Sequence, residues 1–183
     1  MTFNPNYFGL LQVRPMVIPS GDFQISQNDM NHNNVLAASE LVLGNGLNQQ
    51  IQDIVYVLPE NFQLKSTRQI ADQLEMINDT LMAAERPYLL IVFGRLGTLD
   101  PWLGIPVTWS QISGAKVIVE ASQPNMNIDP SQGSHFFQNM TSLGVVYFTV
   151  PHNRSGSMIN WDLLNCLVAD DETEHIRHVR LSE

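Results

Sequence analysis

A helical pattern that runs straight into an apolar strand constrains this chain most. Ile70, Leu74, Ile77 and Leu81 fall at i, i+4, i+7 and i+11, one face of a 3.6-residue period. Arg68, Asp72, Glu75 and Asp79 lie off that stripe and are expected to face water. Ser66 and Gln69 have the spacing of a capping box, which places the helix start at Ser66. Pro87 closes the helical region, and the strongly apolar run Tyr88–Phe93 follows at once, reading as a buried strand. Helix then strand over a short link is the αβ half of an α/β unit. The expected fold class is therefore α/β, with a mixed β-sheet flanked by helices.

Further strands are expected over residues 51–58, 116–120 and 145–150, with Tyr88–Phe93, 116–120 and 145–150 central. Residues 35–42, stopped by Gly44-Asn45-Gly46, fit either helix or strand. Residues 7–13 read as a strand, 18–34 as an irregular connection, 109–112 as a short turn or helical piece, and 134–142 as one helix. The charged tail is expected to offer an edge strand between Thr173 and Leu181.

Composition narrows the function classes. A chain of 183 residues can close one domain, burying roughly 70% of its unfolded surface. The net charge of −9 argues against a general nucleic-acid binder, which needs a basic face to displace counterions. No apolar run approaches the ~20 residues needed to cross a bilayer, and residues 1–6 lack the basic-then-apolar order of a secretory signal, so a cytoplasmic location is expected. The one cysteine, Cys166, sits in an apolar context that predicts a buried structural thiol. A metal site built on cysteines is excluded.

Chemistry-bearing residues gather after two of the strands. The first group follows Phe93: Arg95 is suited to clamp a phosphate or carboxylate, Asp100 to hold a metal or a ribose hydroxyl, with an internal salt bridge as the alternative for both. Trp102 and Trp109 could line an adenine or sugar pocket, or simply pack. The second group is Asp129, Ser131, Gln132 and His135, where His135 has three readings: phosphoacceptor, ligand contact, or a side chain that orients its own loop. His175 and His178, interleaved with Arg177 and Arg180, suggest a metal or anion site, against a solvated, self-paired tail supplied by Asp170, Asp171, Glu172 and Glu174. The Gly94–Gly97 spacing is too loose for a dinucleotide fingerprint, and no P-loop sequence is present.

The segment Phe8 to Met16, with Gln12, Arg14 and Pro15, resembles the closing strand of the ATP-binding domain of phosphoenolpyruvate synthases and pyruvate phosphate dikinases. The phrases 53–57, 100–107 and 131–139 resemble the C-terminal region of bacterial proteins of that kind. The resemblance implies two units: residues 1–17 as the last strand of an ATP-grasp-like domain, and 18–183 as a C-terminal α/β domain. It also implies that Gln12 and Arg14 belong to a nucleotide site, with ATP and Mg2+ as cofactors of a longer protein. The expected function is then an accessory domain of an ATP-dependent phosphotransferase, inactive alone and contributing to a nucleotide or phosphorylated-ligand site. Its expected partners are the ATP-binding domain of the same protein and a small phosphorylated ligand, not nucleic acid or membrane. The alternative is a non-catalytic ligand-sensing or protein-interaction module of a multidomain protein. A free-standing enzyme acting at Arg95, Asp100 and His135 is a third reading.

Overall fold

The computed structural model describes residues 35–43, 47–100, 102–124, 143–152 and 154–181. The strands expected at residues 7–13, the helix at 134–142, and the site candidates Gln12, Arg14, Asp129, Ser131, Gln132 and His135 lie outside the described residues.

A seven-stranded mixed sheet organises the chain, and its middle is parallel. Strands β3 (Asp53–Val57), β4 (Tyr88–Phe93), β7 (Ala115–Ala121) and β8 (Val146–Val150) lie side by side in chain order, all pointing one way. Antiparallel strands finish both edges. β2 (Leu41–Leu43) pairs with β8, and β11 (Ile176–Arg180) pairs with β3 and carries β10 (Asp171–Glu172) outside it. The parallel strands are covered on both faces, which is why Tyr88–Phe93 is apolar throughout instead of alternating.

One face is covered by α1 (Thr67–Ala83) and the 3-10 turn Trp109–Ile112. Crossovers between parallel strands are right-handed, so a monotone strand order sends successive crossovers to the same face. The two connections accordingly touch. Asn78 on α1 donates from Nδ2 to Ser110 O at 3.2 Å, and its Oδ1 accepts from Tyr88 OH at 3.1 Å and Gly114 N at 3.0 Å. Burial pushes the Tyr88 phenol up, so it remains a donor. The expected stripe Ile70, Leu74, Ile77 and Leu81 is buried here, and Arg68, Asp72, Glu75 and Asp79 are exposed. The opposite face is covered by the short helix α2 (Trp161–Cys166), through Leu164 and Trp161, beside a small ladder of β1 (Ala37–Ala38) and β9 (Met158–Ile159). Phe93 ends β4 stacked on Trp161 with ring centroids 5.6 Å apart.

Asn78 is the polar bolt between α1 and the crossover from β4 to β7. Its replacement by alanine strands two buried groups, the Tyr88 hydroxyl and the Gly114 amide, each worth about 1–3 kcal/mol when left unpaired, and leaves the carbonyl of the exposed Ser110 to water. Asn78→Ala is expected to lower stability by on the order of 3 kcal/mol, read as a lower urea midpoint with an unchanged denaturant slope.

Several local expectations are corrected. The capping box at Ser66 does not form. A 3-10 turn, Leu64–Ser66, runs directly into α1, so Ser66 (φ −97°, ψ 1°) is not in the extended conformation a capping residue needs. Thr67 instead returns its hydroxyl to Leu64 O, and Gln69 reaches Glu174. The glutamine half of such a box forms at Thr108 (ψ 163°), whose N–H donates to Gln111 Oε1 at 2.7 Å. Residues 35–42 are neither one helix nor one strand, because β1 and β2 join different sheets. The tail strand β11 is not the sheet edge, since β10 folds back outside it.

Candidate functional site

Just beyond the end of β4 the chain forms a closed lobe. Gly94, in the left-handed region (φ 73°), turns it out of the sheet while its N–H still donates to Ala121 O. Strand β5 (Arg95–Leu96) then pairs in parallel with β6 (Gly104–Ile105). Arg95 N donates to Leu103 O and Gly97 N to Ile105 O, both at 3.0 Å. Gly104 must be glycine. Its φ is +156°, and an ideal Cβ there would stand 2.0 Å from Arg95 O. The tip is closed by its own side chains: Asp100 Oδ1 accepts Trp102 N at 3.0 Å, Asp100 O accepts Leu103 N, and the Thr98 hydroxyl bridges to Asp100. Asp100 thus shapes a turn, as short acidic side chains do.

Under the lobe lies a buried carboxylate. Glu120, the penultimate residue of β7, accepts Leu96 N at Oε1 (2.9 Å) and Tyr147 OH at Oε2 (2.5 Å). Thr149 is its register partner on β8, and Thr149 Oγ1 is buried with no hydrogen-bond partner among the described residues. These groups stand at the carboxyl ends of β4, β7 and β8, the end of a parallel sheet where ligands are met. Strand order here is monotone from β3 to β8, so no switch-point crevice opens between these strands. What the carboxyl ends offer instead is the lobe above them.

The lobe carries three of the expected site residues. Arg95 is half-buried at its base, Asp100 is exposed at its tip, and Trp102 is 68% exposed beside it. Trp102 is therefore not packed into a core. Trp109 does pack, against the α1-side core. Cys166, expected buried, is exposed at the end of α2, because the helix buries Leu164 and turns its last residue outward. The tail is self-paired as expected for its arginines, with Arg177 on Glu172 at 2.5 Å and Arg180 on Asp170 at 3.2 Å. It is not solvated at its histidines. His175 is buried, its Nδ1–H donating to Asn61 O at 3.1 Å, the only role a carbonyl partner permits, and its Nε2 has no hydrogen-bond partner among the described residues.

Sequence reasoning missed the buried carboxylates. Besides Glu120, Asp53 at the start of β3 is fully buried and takes His178 Nε2–H at 2.8 Å and Arg86 Nε at 2.7 Å. This cluster lies at the amino end of the parallel strands, away from the lobe, and ties β3 to β11 and to the segment after α1. The described residues hold no group of three or more His, Cys, Asp or Glu placed to bind a metal ion. None of their helices is long and apolar enough to cross a membrane. Comparison with family models, with curated proteins and with solved structures gives no match.

Proposed function

We propose that the chain is an accessory domain of a phosphoenolpyruvate synthase/dikinase-like, ATP-dependent phosphotransferase, contributing a contact to a nucleotide or phosphorylated ligand and inactive alone. The supporting observation is the position of Arg95, the first residue beyond Gly94 as the chain leaves the central strand β4. Arg95 is carried just beyond the carboxyl end of β4 on a backbone that the β5–β6 pairing holds, and a guanidinium is a fitting group for phosphate oxygens. The lobe contributes the Arg95 charge, not an amide cradle: the inward amide of Leu96 is already taken by the Glu120 carboxyl group. The nearby hydroxyls of Tyr147 and Thr149 add polarity beneath it.

A thermal-shift screen against Mg-ATP, AMP, inorganic phosphate, phosphoenolpyruvate and pyruvate tests this. A ligand at ~100 times its dissociation constant adds about 2.7 kcal/mol, a rise of several degrees for a domain of this size. The rise is expected for at least one phosphorylated compound, not for pyruvate, and is expected to vanish in Arg95→Ala. A cooperatively melting protein that shifts with none of them would put the protein-interaction reading first.

A further inference from the structure

We draw no further inference here: the strongest candidate, the tip of the β10–β11 hairpin where the buried His175 holds its Nε2 3.9 Å from Glu174 Oε1 with no hydrogen-bond partner among the described residues, offers two donor groups only, and nothing else in the structure shows a ligand that would take them.

Discussion

Asp53→Ala is expected to remove about 3–5 kcal/mol of folding stability, the cost of breaking a buried charge pair from one side. Asp53 is fully buried at the start of β3, with one carboxylate oxygen on His178 Nε2 at 2.8 Å and the other on Arg86 Nε at 2.7 Å. Arg86 follows α1 and also donates to Gln52 O at 3.1 Å, while His178 belongs to β11. One carboxylate therefore ties the helix exit, the first parallel strand and the antiparallel edge. Alanine leaves a guanidinium and an imidazole facing an apolar side chain, and it is the stranded donors, not the lost attraction, that set the cost. Asp53→Asn, which keeps an acceptor for one of them, should lose less. Asp170→Asn is the control. Asp170 is exposed, 3.2 Å from Arg180 and 3.7 Å from His178, too far from the latter for a hydrogen bond, so its removal should cost under about 1 kcal/mol. Urea unfolding gives the totals. Hydrogen exchange should show the amides of β10 and β11 opening first in Asp53→Ala, since that edge loses its lateral tie. A loss below about 1 kcal/mol for Asp53→Ala would show that the cluster tolerates an unpaired His178 and Arg86, through water reaching the site.

The contrast between what was legible in the sequence and what was not follows physical range. The Ile70–Leu81 stripe and the Tyr88–Phe93 run announce themselves because periodicity and burial act within a few residues of chain. The strands β3, β4, β7 and β8 were also legible from their dense apolar runs, whereas their parallel pairing in chain order is what the structure adds. The Ser66 cap failed because spacing specifies a pair of side chains, whereas capping also needs an extended backbone that the preceding 3-10 turn denies. Edge pairing was less legible: β2 and β10 are two or three residues long and owe their place to partners about a hundred residues away or across a tight return. At the candidate site, glycines and charge after Phe93 marked the segment where the chain leaves the sheet, and Gly104 explains itself once Arg95 is seen against it. Glu120 could not be found that way. A glutamate closing a strand reads as the point where chain meets water, and only the approach of Tyr147 and Leu96 gives it partners in the interior.

Glu120 is also where stability and the proposed Arg95 ligand contact can be tested together, and the variants there separate the carboxyl group from its shape. Glu120→Ala strands the Leu96 amide and the Tyr147 hydroxyl in a buried setting, each worth about 1–3 kcal/mol, so a loss of about 3–5 kcal/mol is expected. Tyr147→Phe should cost about 1–3 kcal/mol, and the double variant less than the two together, because both remove the same 2.5 Å bond. Protection of the Leu96 and Gly97 amides against exchange should fall in Glu120→Ala, since the base of the lobe loses its tether. Any ligand-dependent shift that needs Arg95 should weaken with it, because Arg95 is carried on that base. Glu120→Gln decides the cause. A carboxamide oxygen can still accept from Leu96, and its NH2 can donate to a Tyr147 oxygen turned to accept, so shape alone predicts that most of the stability returns. Recovery of stability together with recovery of the ligand shift would make Glu120 a geometric support. Recovery of stability without the ligand shift would mean that the carboxyl group itself, not its shape, is what the Arg95 contact needs, a role the carboxamide cannot take.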